Sequence, residues 1–182
     1  MIRTKLSGPL HIVSLILLVW LSGCEKVENL LRFTFNDSVE ITIPSQSLIS
    51  NVPIKIASPE VQTSSQQAFA NNNTQAKYVK EAKLKSLELT ISSPQDQTFS
   101  FLNEIKIYIS ASGQPELLLA SKENIPASAG RQLSLDVSQA NLKPYIQGDA
   151  YTIRTEAVID EVLTREVKIT ADLAFAVTAD VF

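Results

Sequence analysis

The sequence predicts an all-β protein, an antiparallel β-sandwich of about seven to nine strands. Three observations predict this class. Apolar and polar residues alternate along much of the chain, clusters rich in Gly, Pro, Ser and Asp separate the alternating segments, and the longest alternation lies near the C-terminal end. Alternation with a period of two is typical of a strand that is buried on one side only, and several such strands between turns favour a sandwich or a barrel.

The first 23 residues have the layout of a secretory signal peptide. Arg3 and Lys5 form a short positive start, and an apolar stretch runs from Leu10 to Trp20. Because a helix needs about 20 residues to cross the hydrocarbon core of a membrane, this stretch is too short for a permanent transmembrane helix.

The apolar stretch is followed by Leu21-Ser22-Gly23-Cys24, which contains the only cysteine of the chain. This segment resembles the lipobox of bacterial lipoproteins, and all four positions match. The resemblance implies cleavage before Cys24, attachment of diacylglycerol to its sulfur and acylation of the new α-amine. Two or three acyl chains anchor a protein far more firmly than one. We therefore expect a membrane partner through the lipid on Cys24, and a location in the cell envelope, at the outer membrane; the alternative is an ordinary signal peptide followed by a chance cysteine.

Removal of residues 1–23 changes the composition. Residues 24–182 contain 14 Lys and Arg against 19 Asp and Glu, a formal charge of −5, and they contain no His and no Trp because His11 and Trp20 precede them. An acidic chain is a poor partner for nucleic acid. Without His or a free Cys, no Ser-His-Asp or Cys-His arrangement and no zinc or copper site based on those ligands can form. We expect no cofactor, no metal and no catalysis.

The predicted organisation is a lipidated tether and first strand over residues 24–36, then a single β-sandwich domain over residues 37–182. A single helical turn is expected where Ser138 offers an N-cap and Pro144 prevents a longer helix. Strands are predicted where the alternation is regular, in VEITI (39–43), SLELTI (86–91), IKIYI (105–109) and LSLDV (133–137).

The C-terminal alternation is the strongest local signal. Every second residue from Val167 to Val181 is apolar, and this strand is expected to bend or to carry a bulge because of its length. Across a turn at 160–164 it is predicted to form a hairpin with the segment 150–159.

Residues 62–77, QTSSQQAFANNNTQAK, have no periodicity and predict a long, mobile polar loop. Binding residues often lie on loops of a rigid scaffold. We therefore consider a partner-binding loop formed by Phe69, Asn71, Asn72 and Asn73, against a disordered tether with one stray Phe. The next candidate is the exposed strand faces around Tyr108 and Tyr151.

The whole chain loosely resembles the small β-sandwich lipoproteins of uncharacterised function found in diderm bacteria. The order of its strands is also similar to the immunoglobulin-like sandwich, although the Cys and Trp hallmarks of true immunoglobulin domains are missing. A resemblance of architecture implies no function by itself.

Several short patterns are open to two interpretations. Asp37-Ser38-Val39 resembles a site of O-linked glycosylation in some diderm bacteria, and Asn72-Asn73-Thr74 fits the N-glycosylation pattern but is better explained as a polar loop. Glu25 and Glu28 suit either a surface-export tag or a solvated tether. Calcium ligands at Asp149, Asp160 and Glu161 are less favoured than solvated turn acids.

Three functions remain open at this level. The leading hypothesis is a non-catalytic binding or adhesion module with a protein or glycan partner. The second is a structural subunit of an envelope complex. The third is a hydrolase that uses two facing carboxylates.

Overall fold

The computed structural model describes residues 30–45, 49, 52–56 and 60–180. They form two antiparallel sheets packed into a sandwich, so the all-β class is confirmed. The lipobox residues, the tether before Leu30 and the last two residues of the chain lie outside the described residues.

The described part of the chain contains ten strands, two short α-helices and two 3-10 turns, and the strands number more than the seven to nine predicted. Several strands of two or three residues are too short for an alternation to reveal them. The strands are β1 Leu30–Ile43, β2 Ile54–Ile56, β3 Glu60–Gln62, β4 Val79–Ser93, β5 Leu102–Ala111, β6 Gln114–Lys122, β7 Gln132–Ser134, β8 Asp136–Val137, β9 Ala150–Ile159 and β10 Val167–Asp180. The helices are α1 Ser65–Asn71 and α2 Lys143–Ile146, and the 3-10 turns are Ala76–Tyr78 and Phe99–Phe101.

The strand order shows a nested pairing. The four-stranded sheet has the order β1-β10-β4-β7, and the six-stranded sheet has the order β2-β9-β5-β6-β8, with β3 also paired to β9. The first strand thus pairs with the last, β2 and β3 with the penultimate strand, β4 with β7, and β5 with β6. An antiparallel ribbon wound in this way is a jelly roll.

The immunoglobulin-like order predicted from the sequence is wrong. In that fold the first and last strands belong to different sheets, whereas here β1 and β10 are hydrogen-bonded neighbours in the four-stranded sheet. Local alternation identifies which residues face inward but carries no information about which strands pair.

The C-terminal alternation is confirmed. All seven odd-numbered residues from Val167 to Ala179 are buried, and β10 has shifts of register against β4, one of them between Ala174 and Phe175. The predicted hairpin is wrong, because β9 lies in the six-stranded sheet and β10 lies in the other. The segment between them crosses from one sheet to the other and buries Leu163.

Three further boundaries differ from the prediction. The division at residue 37 falls inside β1, which is continuous from Leu30 to Ile43. The LSLDV segment divides between the two sheets, with β7 beside β4 and β8 beside β6. A helical turn is present in this region, but it is α2, which begins at Lys143 and not at Ser138. Pro144 lies in its first turn, where the missing N–H of proline costs no hydrogen bond.

The two ends of the sandwich differ. We call the end where β1 begins at Leu30 and β10 ends at Asp180 the cap end, because α1 packs there against β1. The other end, where Ile43 pairs with Val167, is the far end. No helix among the described residues is long and apolar enough to cross a membrane.

Candidate binding site at the helical cap

The segment 62–77, predicted to be a long loop, contains regular secondary structure. It contains α1 and the 3-10 turn Ala76–Tyr78. Within α1, Gln67 Nε2 donates to Asn71 Oδ1 one turn later, at 2.7 Å. The helix escapes sequence analysis because seven residues with one large apolar side chain show no amphipathic period.

The three asparagines end this helix. Asn72 Nδ2 donates to the Ala68 carbonyl oxygen at 2.8 Å, and the Asn73 N–H donates to the Ala70 carbonyl oxygen at 3.1 Å. Asn73 has a φ of 50°, in the left-handed region that Asn tolerates better than most residues. Asn72 is thus occupied with capping, while the Asn71 and Asn73 side chains are exposed.

Phe69 is not the exposed aromatic contact that the sequence suggested. Its side chain is 1% exposed, and its ring meets the ring of Phe33 edge-on with centroids 6.1 Å apart. The isolated aromatic of a polar segment therefore anchors that segment to the core. A single Phe without periodic neighbours gives no indication of which role it has.

A buried carboxylate holds the start of α1 in place. Asp37 occupies an inward position of β1 and is 5% exposed. Its Oδ1 accepts the Ser64 N–H at 2.7 Å, and its Oδ2 accepts the hydroxyl of Tyr151 at 3.0 Å. Burial, followed by the charge of Asp37 and this hydrogen bond, raises the pKa of Tyr151 far above its usual value. Asp37 thereby connects β1, β9 and the helical segment.

Further hydrogen bonds join α1 to α2. Ser65 Oγ donates to the Ile146 carbonyl oxygen at 2.7 Å, and Gln66 Nε2 donates to the Gln147 carbonyl oxygen at 2.7 Å. Gln147 Nε2 in turn donates to the Ala76 carbonyl oxygen at 3.2 Å. We call residues 63–78 and 143–147 the helical cap.

A cleft of about 400 Å³ opens in the helical cap. Gln66, Gln75 and Lys77 provide exposed polar groups around it, Thr74 provides a buried hydroxyl, and Phe69 provides a buried apolar ring. Thr74 Oγ1 is the one buried side-chain N or O atom among the described residues that has no hydrogen-bond partner. An unpaired buried hydroxyl is costly. A ligand that offers a hydrogen-bonding group to Thr74 would remove that cost. In the sequence Thr74 stood out only as the last residue of the Asn72-Asn73-Thr74 pattern, with no indication that it lines a cleft.

The second sequence candidate was the strand faces around two tyrosines, and only Tyr108 lies on such a face. The Arg154 guanidinium lies over the Tyr108 ring, 4.2 Å from its centroid, and the Tyr108 hydroxyl donates to Glu156 at 3.2 Å. Burial raises the pKa of Tyr108, and the hydrogen bond to Glu156 adds to the shift. Tyr151 is buried in the core, so its proposed exposure is wrong.

Arg154 also binds Glu116 through two hydrogen bonds, of 2.6 and 2.7 Å. These bonds lower the pKa of Glu116, and a bond from Arg154 likewise lowers the pKa of Glu156. The charges on this outer face of the six-stranded sheet therefore satisfy one another.

The remaining candidate residues from the sequence do not come together in one site. Asp149, Asp160 and Glu161 are exposed, and the described residues contain no group of three or more His, Cys, Asp or Glu that could hold a metal ion. Glu88 and Asp172 face each other across β4 and β10, but only in a shallow dent of about 280 Å³ on an open sheet face. Ser38 is exposed on β1.

No family model matches the chain, and no curated protein matches its sequence. Solved structures to which it is similar include the decameric BFDV capsid protein, at 9% identity, with 84% of this chain and 99% of that chain covered and a TM-score of 0.39. The 60-mer of the BFDV capsid protein has 11% identity, coverage of 86% and 96%, and a TM-score of 0.39. Turnip Yellow Mosaic Virus has 11% identity, coverage of 84% and 96%, and a TM-score of 0.26. At TM-scores this low the similarity carries no argument about assembly, ligand or activity.

Proposed function

We propose that this protein is a lipid-anchored, non-catalytic binding module of the bacterial cell envelope, attached to the outer membrane through Cys24. The observation that carries the proposal is the complete Leu21-Ser22-Gly23-Cys24 match directly behind a short apolar stretch. The position of β1 is consistent with it, because the strand begins at Leu30, six residues after Cys24. Six residues span at most about 20 Å, so the sandwich would lie next to the membrane.

The helical cap is the proposed binding site for a protein or glycan partner. Its cleft combines exposed amide and ammonium groups with a buried hydroxyl that lacks a partner. The polar network around Asp37 supports this role, since it holds the walls of the cleft in one position and rigid sites bind with less loss of entropy.

A structural subunit of an envelope complex is the second candidate. It is favoured by β1, a strand of 14 residues at the edge of its sheet. An edge strand offers backbone hydrogen-bonding groups to another chain. The third hypothesis, a carboxylate hydrolase, is less favoured because Glu88 and Asp172 lie in an open dent rather than a closed cleft.

Labelling of growing cells with palmitate tests the anchor. The wild-type protein should carry the label, Cys24→Ser should abolish it, and the control Ser22→Ala should retain it because alanine is also small. Absence of label on the wild type, or its persistence on Cys24→Ser, would exclude a lipid anchor at Cys24.

A further inference from the structure

The outer face of the four-stranded sheet is divided by charge along its length. The half next to the cap end, which we call the basic half, contains four cations and two acids. The other half, the acidic half, contains three acids and one cation. The basic half comprises Arg32, Lys80, Lys83 and Lys85 with Glu81 and Asp180, and the acidic half comprises Glu40, Glu88 and Asp172 with Lys168.

Two cations of the basic half are available for a ligand. Lys80 pairs with Asp180 and Lys83 pairs with Glu81, each with 2.9 Å between Nζ and the carboxylate oxygen. Arg32 and Lys85 have no ion pair to any residue in the described part of the chain. Both border a shallow cleft of about 460 Å³ whose other residues include Ala176 and the hydroxyl-bearing Thr34 and Thr178.

The chemistry of this cleft suits a phosphate group. A guanidinium and an ammonium supply opposite charge, two hydroxyls supply hydrogen-bond donors, and the small side chain of Ala176 leaves room for a phosphate to approach the sheet. Phosphates at a membrane surface would meet several such cations at once, and the attraction acts within about 10 Å at 0.1 M salt.

The position of the anchor indicates which phosphates these are. Arg32 lies two residues after Leu30, where β1 begins, and Cys24 lies six residues before that point. The tether therefore holds the cap end within about 20 Å of the lipid. We infer that the basic half docks onto the phosphate groups of an anionic membrane surface, with the acidic half directed away from it. This inference rests on the proposed lipid anchor.

The net charge makes this orientation specific. Residues 24–182 carry a formal −5, so an anionic surface repels the domain as a whole. The attraction of the basic half and the repulsion of the acidic half act together on a tethered domain. They favour the orientation in which the basic half faces the membrane over the one in which the acidic half faces it.

Lysine acetylation of the intact lipidated protein, read by mass spectrometry, tests the inference. The protein is inserted into vesicles of phosphatidylcholine alone or of phosphatidylcholine mixed with phosphatidylglycerol. On the anionic vesicles Lys83 and Lys85 should react about threefold more slowly than on neutral ones, and high salt should remove the difference. Lys168 is the matched control, since its side chain is 44% exposed against 40% for Lys83 and both lysines are in surface ion pairs.

Two variants test the inference further. Arg32→Gln should reduce the protection of Lys83 and Lys85 on anionic vesicles, whereas Lys168→Gln, which makes the acidic half more negative, should leave that protection unchanged or increase it. If the protein floats with the vesicles but the anionic lipid slows the acetylation of Lys83 no more than that of Lys168, the docking inference fails and the lipid anchor is retained. If the wild type does not float with either kind of vesicle, both fail. Protection by inorganic phosphate without vesicles would identify a free anion as the ligand and overturn the membrane assignment.

Discussion

The cap end and the far end of the sandwich both close the core with aromatic rings, but only the cap end combines its rings with buried polar groups. At the far end Phe99 and Phe101 are fully buried, with centroids 6.4 Å apart. Towards the cap end, rings of both sheets and of α1 pack against one another, and the hydroxyl of Tyr151 donates to the buried carboxylate of Asp37. The aromatic residues at the cap end are Phe33, Phe35, Phe69, Tyr151 and Phe175.

The buried polar residues show the same asymmetry. The described residues include four buried polar side chains. Two of them, Ser65 and Thr74, belong to the helical cap, and a third, Asp37, lies midway along β1 and accepts the N–H of Ser64 in the cap. The far end instead uses polar contacts near the surface, where Arg165 binds Asp96 at 2.7 Å and Arg131 binds the Ile91 carbonyl oxygen at 2.6 Å.

The two ways of closing the core constrain the structure differently. Apolar packing is non-directional, whereas hydrogen bonds to buried groups require one geometry. Buried polar groups are a costly way to gain stability. Their concentration around the helical cap fits the binding site proposed there, because directional hydrogen bonds hold the walls of the cleft in one geometry.

The largest effect is expected for a second acid in the core, beside Asp37. Leu173 is fully buried and lies directly opposite Asp37 in the pairing of β1 with β10. Leu173→Asp would bury an unpaired charge beside an existing carboxylate, so we expect a loss of more than about 4 kcal/mol, or no folding at all. Ala176→Asp, on the outer face of the same strand, is the control and should be close to neutral. Chemical denaturation measures both, and a stable Leu173→Asp would show that β10 faces the other way.

Removal of the native acid should have the next largest effect. Asp37→Ala leaves the Tyr151 hydroxyl and the Ser64 N–H without their acceptor, which should cost about 2–3 kcal/mol. Asp37→Asn retains one acceptor oxygen and should cost less. Hydrogen exchange should accelerate first at the amides of residues 64–71. Uniform acceleration over both ends of the sandwich would contradict a local role for Asp37.

Asp37 and the strand around it also show how much of the structure could be predicted from the sequence. The inward faces of β1 and β10 were predictable, because a period of two assigns every second residue to the core. The position of Asp37 was signalled too, since it interrupts the inward series Phe33, Phe35, Val39, Ile41 with one polar residue. The hydrogen-bond partners of Asp37 could not be predicted, because Tyr151 is 114 residues away and approaches only through the opposite sheet.

The helical cap shows the limit more clearly. α1 has no periodic pattern, and its stability comes from Phe69 in the core and from hydrogen bonds to residues 81 positions away. The strand order was equally inaccessible, because any two strands with an apolar face can pair. Arg32 and Lys85 became candidates only when the fold placed them at a cleft, and the fold alone showed that Thr74 lines another.

A smaller effect, of opposite sign, is expected at Thr74. Thr74→Val replaces the unpaired hydroxyl with a methyl group of similar shape, so the variant should be more stable by about 1 kcal/mol, which corresponds to a rise of about 2–4 °C in Tm. Thr74→Ser keeps the hydroxyl and is the control for side-chain volume. If Thr74→Val lowers the Tm, the hydroxyl already has a partner in solution and the cleft loses its main argument.

The smallest effect is expected at the far end. The hydrogen bond from Arg165 holds the pKa of Asp96 below its ordinary value of 3.8, with the backbone of Asp96 contributing. A depressed pKa in the folded state stabilises the protein above the ordinary pKa, and this contribution is lost as the pH falls through the folded-state value. Because both side chains are more than half exposed, solvent screens the pair. Arg165→Gln should therefore change the Tm at pH 7 by less than about 1 °C. It should also make the fall of the Tm below about pH 4 slightly less steep. Thermal melts from pH 2 to pH 7, at low and high salt, measure this. If Arg165→Gln lowered the stability at pH 7 as much as Asp37→Ala does, directional polar contacts would hold both ends of the sandwich. The contrast between the two ends would then disappear.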